Sequence, residues 1–131
     1  DLVTGVQTCA LPIYHQPHGL DAKLAPFSES APGIAGLETL LSLSLKLVEE
    51  DVLSLSEAIS RVTVQPARIL GIDVGTLGPQ MPADACVIDL NENWVVNVNQ
   101  FASQGRNSPF EGQTVLGKVS NVFVAGQPML S

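Results

Sequence analysis

The chain has 131 residues and a formal net charge of −7, with 13 Asp and Glu against 6 Lys and Arg. That balance argues against nucleic acid or an anionic membrane as a partner, because phosphate recognition needs clustered basic side chains. Hydrophobic residues make up 45% and charged residues 15%, the composition of a packed domain or of a piece of a larger one, not of a disordered chain.

The first residues, DLVTGVQTCALPI, lack an initiating Met and the basic n-region of a signal peptide, so no targeting segment is expected there. No apolar run approaches the length of a membrane span. Cys9 and Cys86 have no metal-ligand spacing. A disulfide between them is allowed by count alone, but reduced thiols in a cytosolic protein are the simpler reading.

His15-Gln16-Pro17-His18 follows, two histidines around a proline, the kind of cluster found at metal or substrate sites. The residue before it is Tyr14, where such a site would call for a carboxylate. Residues 24–36, LAPFSESAPGIAG, are rich in turn formers and read as a loop. Leu37, Leu40, Leu41, Leu45 and Val48 recur near helical spacing, and Leu43 and Leu47 widen the apolar surface. A helix buried on much of its circumference is expected there, ending in the acidic run Glu49-Glu50-Asp51.

Ser54-Leu55-Ser56-Glu57 fits a capping box, so a second helix should begin at this point. Pro66 suits the first turn of a third, short helix that Gly71 closes as its C-cap. Beyond Gly71 the period changes. Residues 83–90, 94–99 and 114–126, and then the tripeptide PML, read as strands separated by Gly, Pro and Asn. Neither face of Val119–Ala125 is clearly polar, so part of that strand should be covered on both sides. Trp94 and Phe123 read as core residues of the β part.

Taken together, HQPHGLDAKLAPF, PGIAGLETLL, QPARILGI, GTLGPQMPADACVID, SQGRNSPFEG and GKVSNVFVAGQPML resemble, in order, the C-terminal third of dihydroorotases. These belong to the cyclic-amide branch of the amidohydrolase superfamily. The resemblance runs from residue 14 to 131 almost without a break. It implies an α/β fragment: the last strand and helices of a metal-dependent, TIM-like (β/α)₈ barrel over residues 14–70, then the C-terminal part of a small β-sandwich over residues 71–131. Residues 1–13 match no strand of that family and resemble a translated sequencing adapter, hence a non-native leader.

The resemblance implies a hydrolase that interconverts N-carbamoyl-L-aspartate and dihydroorotate in pyrimidine biosynthesis, in the cytoplasm, with one or two zinc ions in the full-length parent. In the family, the position before HxPH is an aspartate that binds metal and moves the proton of the metal-bound water. Here that position is Tyr14, whose phenol titrates near 10 in model peptides and is ill suited to accept a proton at neutral pH. An adapter joined inside an Asp codon would produce Tyr. No catalytic residue and no metal ligand is therefore intact, and this chain alone should be inactive and bind no zinc.

The substrate-binding residues that the resemblance implies are His18, hydrogen-bonding the carboxylate of dihydroorotate, and Pro32 and Gly33, in the loop over the ring. His18 also separates this reading from allantoinase- or dihydropyrimidinase-like enzymes, which carry Cys or Phe there. His15 reads as structural, Asp21 and Lys23 as a loop ion pair, and Arg68, Arg106 and Asn107 as structural ties. An alternative of a different class is a homologue without metal ligands that acts as a structural partner of aspartate carbamoyltransferase. One barrel strand with its helices cannot close an eight-stranded sheet, so the isolated polypeptide is expected to be molten or aggregation-prone.

Overall fold

The computed structural model describes residues 15–129. The expectations placed on Tyr14, Cys9 and residues 1–13 lie outside the described residues. The chain enters through a single parallel bridge between His15 and Ile34, with Gln16 N–H donating to the Ile34 carbonyl at 2.8 Å. A 3₁₀ turn over Leu20–Lys23 follows, inside a stretch expected as plain loop.

Three helices come next: α1 (Leu40–Glu49), α2 (Leu55–Val62) and α3 (Val64–Leu70). The local signals for the second and third hold. Ser54 Oγ accepts from Glu57 N–H at 3.3 Å, and the Glu57 carboxylate accepts from Ser54 N–H at 2.9 Å, a complete capping box. Gly71 closes α3 with a left-handed φ of 68°. As expected, α1 is covered on much of its circumference, with only Lys46 and Glu49 exposed. Its fully buried residues are Ser42, Ser44 and Leu45, while Leu40, Leu41, Leu43 and Leu47 are half-buried. Where α1 meets the sheet, Leu45 packs on Gly117 and Ser42 donates to the Gly117 carbonyl, while Ser44 donates back to the Leu40 carbonyl of its own helix.

The β part is one antiparallel sheet of three strands, β1 (Ala85–Val95), β2 (Thr114–Val124) and β3 (Gln127–Met129), in that order. The two strands expected over 83–90 and 94–99 are therefore one strand. Its register slips between Asp89 and Asn93, so residues 90–92 leave the ladder, and Asn91 N–H turns back onto Asp89 Oδ1 at 2.8 Å. Beyond Val95 the chain leaves the sheet for a 3₁₀ turn over Val98–Gln100, capped by Asn97 Oδ1 on Asn99 N–H at 3.0 Å. Likewise, the strand expected to run to residue 126 ends at Val124. Ala125 and Gly126 both take positive φ (49° and 77°) in a two-residue hairpin turn.

The core cluster is Ala35, Val96, Val98 and Phe101, with Trp94, Phe110 and Val115 packed against it. It ties the loop before α1 to the segment after β1. Trp94 belongs to this packing as expected, but Phe123 is only half-buried and lies outside the cluster. The coverage expected on both faces of Val119–Ala125 is also not seen, since Val119 is 37% and Val124 48% exposed. α1 packs on β2, meeting it at Gly117, and among the described residues α2 and α3 make no contact with the sheet.

Candidate functional site

The candidate site is the meeting point of three loops: residues 15–18, residues 32–36 and residues 103–107. His18 is half-buried, and its Nε2 lies 3.1 Å from the Pro32 carbonyl oxygen. A carbonyl can only accept, so Nε2 carries the proton and donates it. In the neutral ring Nδ1 then holds the lone pair. A carboxylate ligand must compete with Pro32 for the Nε2 proton or meet the imidazolium at Nδ1. The structure thus brings His18 and Pro32 together, with Gly33 next in line at φ 84°. Gly33 leaves no space for a side chain, because a Cβ there would overlap Gln16, with its Cγ 2.9 Å away.

His15 is held differently. Gly36 N–H donates to its Nδ1 at 3.2 Å, which uses the one lone pair of a neutral imidazole. It cannot ligate a metal through Nε2 without losing that contact or its second proton. Among the described residues, no group of three or more His, Cys, Asp or Glu side chains could hold a metal ion. The described residues therefore offer no ligand set for the zinc that the resemblance places in the full-length parent.

The third loop holds the other two in place. Asn107 is 6% exposed, and every polar atom of its side chain is used. Its Oδ1 accepts from His18 N–H at 2.8 Å, and its Nδ2 donates to the carbonyls of Gln16 (2.9 Å) and Gly33 (3.3 Å). Its own carbonyl accepts from Ala35 N–H at 3.3 Å, and Arg106 N–H donates to the His18 carbonyl at 2.8 Å. Gly105 permits the approach, since a Cβ there would lie 2.7 Å from Pro17 Cα. The sequence marks this segment as a motif, and reading Arg106 and Asn107 as structural agrees with these contacts. It does not reveal which backbone Asn107 grips, because the partners lie 74 to 91 positions away. The Arg106 guanidinium folds back onto the carbonyls of Ser103 and Gly105 instead of facing the site.

Two other expected ties are absent. Lys23 donates its ammonium to the Ala31 carbonyl, and Asp21 accepts from Ala22 N–H at 3.1 Å, so the loop ion pair is replaced by contacts to backbone. Over so short a turn, nearby carbonyl and amide groups are easier to reach than the opposite charge. Arg68 is exposed on α3, and among the described residues no hydrogen bond or ion pair ties it to another element. Cys86 is a free, exposed thiol on β1. Among the described residues, no helix is long and apolar enough to cross a membrane.

The histidine turn, the Pro-Gly loop, the helices and the three-stranded sheet together make a mixed α/β fragment. The family model of amidohydrolases matches residues 27–129, so the chain belongs to the amidohydrolase family. Within it, the chain is similar to dihydroorotases. It is 47% identical over 113 residues to that of Geobacter metallireducens and 46% to that of Geotalea daltonii, each match covering 86% of this chain and 27% of the relative. With the dihydroorotase of a Wolbachia of Drosophila simulans it is 38% identical over 130 residues, 99% of this chain and 29% of the relative. The chain thus spans little more than a quarter of the length of these curated relatives.

Among solved structures it is similar to an L-hydantoinase (dihydropyrimidinase) from Arthrobacter aurescens, with 33% identity, TM-score 0.72, and coverage of 77% of this chain and 23% of that one. It also superposes on a D-hydantoinase from Thermus sp. with TM-score 0.81 over 98% of this chain and 29% of that one. At 22% identity, that likeness shows the fold alone.

Proposed function

We propose that this chain is the C-terminal part of a dihydroorotase, which closes and opens the amide between N-carbamoyl-L-aspartate and dihydroorotate. The observation that carries the reading is the His18–Pro32 contact, which sets an imidazole against the Pro32-Gly33 backbone in a chain 46–47% identical to dihydroorotases. An imidazole beside a backbone amide offers an anionic six-membered ring both a carboxylate partner and a ring partner. The remaining machinery belongs to the part of the relatives' length that this chain does not span. We place the zinc, one or two ions, in that part. The proposed setting is cytoplasmic. Residues 14–70 would finish the barrel and residues 71–131 would form the C-terminal segment of a β-sandwich.

Tyr14 carries the second reading, a non-catalytic homologue that serves aspartate carbamoyltransferase as a structural partner. A phenol at the aspartate position would leave neither a hard metal ligand nor a base for the water. Under the first reading, residues 1–13 are a non-native leader and Tyr14 a hybrid codon. The Wolbachia match, which covers 99% of the chain and so reaches into this leader, weighs against that. A long sequencing read through codon 14, followed by assay of the full-length product for dihydroorotate hydrolysis, tests both. An Asp codon and a turnover that chelators abolish support the enzyme. A Tyr codon and no turnover sink it in favour of the partner protein.

A further inference from the structure

We infer that Asn107 is a positioning residue, which sets the carboxylate-recognising geometry of His18 by locking its turn to the Pro32-Gly33 loop. This rests on the dihydroorotase reading above and deepens it. Asn107 is an amide with one acceptor and two donors, and all three are committed to main chain on both sides of the His18–Pro32 contact. On one side it holds His18 N–H and the Gln16 carbonyl. On the other it holds the Gly33 carbonyl and, through its own backbone, Ala35 of the core cluster. A staple whose role was only to join elements would grip regular structure. This one grips the peptide of the histidine and the peptide after the proline that the histidine touches.

Beside Asn107, the turn meets the 32–36 loop through Gln16 N–H on the Ile34 carbonyl, Gly36 N–H on His15 Nδ1 and the His18–Pro32 contact itself. None of these bonds the Gly33 carbonyl. Gln16 and Pro17 are exposed, so they gain little from burial. Gly105 and Arg106 press on Pro17 and the His18 carbonyl but cannot fix the relation to residue 33. Without the amide, two carbonyls and one N–H lose their partner together, and the His18 peptide and the Gly33 peptide are free to shift relative to each other about the remaining contacts. A displacement near 1 Å is enough to spoil recognition of a substrate anion.

The test uses the full-length protein and four variants, Asn107→Ala, Asn107→Asp, His18→Ala and the double Asn107→Ala/His18→Ala, with Val98→Ala as a core-loosening control. Asn107→Ala should raise KM for dihydroorotate about tenfold and leave kcat within about threefold, the signature of lost ground-state binding. Asn107→Asp keeps the acceptor for His18 N–H and loses both donations. It should show the same split, and it carries the test if the alanine variant does not fold. Added to His18→Ala, the Asn107→Ala change should raise KM no further, because both act through one side chain. Val98→Ala should lower the melting temperature without moving KM.

An unchanged KM in both Asn107 variants, or effects that add fully to those of His18→Ala, would overturn the inference. A second readout does not need turnover: ¹⁵N-histidine NMR should show His18 fixed as the Nε2–H tautomer in the parent and averaged in the Asn107 variants. If the parent hydrolyses no dihydroorotate, the dihydroorotase reading falls and this tautomer comparison alone decides the positioning role. An identical tautomer in the parent and the variants overturns it.

Discussion

Gly117 of β2 and Leu45 of α1 meet with no room for a side chain between them: a Cβ built on residue 117 would overlap Leu45 Cδ1 and lie 3.6 Å from its Cγ. Gly117 also has a φ of 85°, which L side chains rarely adopt. Gly117→Ala in the full-length protein should therefore cost about 1–3 kcal/mol, from backbone strain and overpacking together. This would appear as a melting temperature several degrees lower. Leu45→Ala should also destabilise on its own, yet the double variant should be less destabilised than the sum, since removing Leu45 relieves the clash. A Gly117→Ala variant as stable as the parent would reject this fit.

The same glycine explains the buried serine. Gly117 has no partner in the β1–β2 ladder, because the register jumps from Asn93↔Leu116 to Asp89↔Lys118. Its carbonyl is served instead by Ser42 Oγ–H at 2.8 Å and the Trp94 indole N–H at 3.0 Å. Either donor alone satisfies it, so Ser42→Ala should cost about 1 kcal/mol, and Trp94→Phe more, because it also removes ring volume packed on the core cluster. Removing both leaves a carbonyl at the helix–sheet contact without a donor, and the double variant should lose about 1–3 kcal/mol beyond the sum. Thermal melts of the three variants measure this, and strict additivity would contradict it.

The capping box makes α2 sensitive to acid. Ser54 holds the Glu57 carboxyl below its ordinary range, first through the hydroxyl hydrogen bond and then through its backbone N–H, with Arg61 adding a smaller attraction. A depressed folded pKa means the unfolded chain binds the proton more readily. The stabilisation is then fully present above the ordinary carboxylate range, near pH 4, and is lost as pH falls through the lower folded value. Glu57→Gln should flatten that acid limb, and Ser54→Ala should shrink it, the backbone N–H and Arg61 remaining, while the lost cap costs about 1 kcal/mol at neutral pH. Acid titration followed by far-UV circular dichroism reads the slope. An acid limb unchanged in Glu57→Gln would assign it to other groups.

What could be read in the sequence is what lies close together along it. The Ser54–Glu57 cap, Pro66 in the first turn of α3 and Gly71 at its end each depend on four or five neighbouring residues, and all three hold. The strand ends after residue 71 depend on partners across the sheet. The bulge at residues 90–92 fused two expected strands because Asn91, a turn former, also fits a slip in register. The leucines of α1 gave its helical period, yet the face that meets β2 carries Ser42 beside Leu45. That choice answers a bulged carbonyl some 75 positions later, which no local pattern announces. Asn107 escaped functional notice for the same reason: residue type shows that it can donate and accept, and only the fold shows to what.

The last prediction concerns this chain on its own. Phe27 is 100% exposed, Leu24 83%, Leu77 80% and Leu70 70%, and α1 keeps four leucines half-exposed. Beside them, the core cluster of Ala35, Val96, Val98 and Phe101 is small. The burial available is too little to offset the backbone entropy of ordering more than a hundred residues, at about 1–2 kcal/mol each. Purified residues 1–131 should therefore retain far-UV signal, bind a hydrophobic dye such as ANS, lack near-UV structure around Trp94 and melt without a cooperative transition. The full-length protein should keep its near-UV signal, bind no ANS and melt cooperatively. A sharp, concentration-independent melt of the isolated monomer would mean that the described contacts suffice by themselves. The exposed apolar face would then have to be accepted as part of a stable fold.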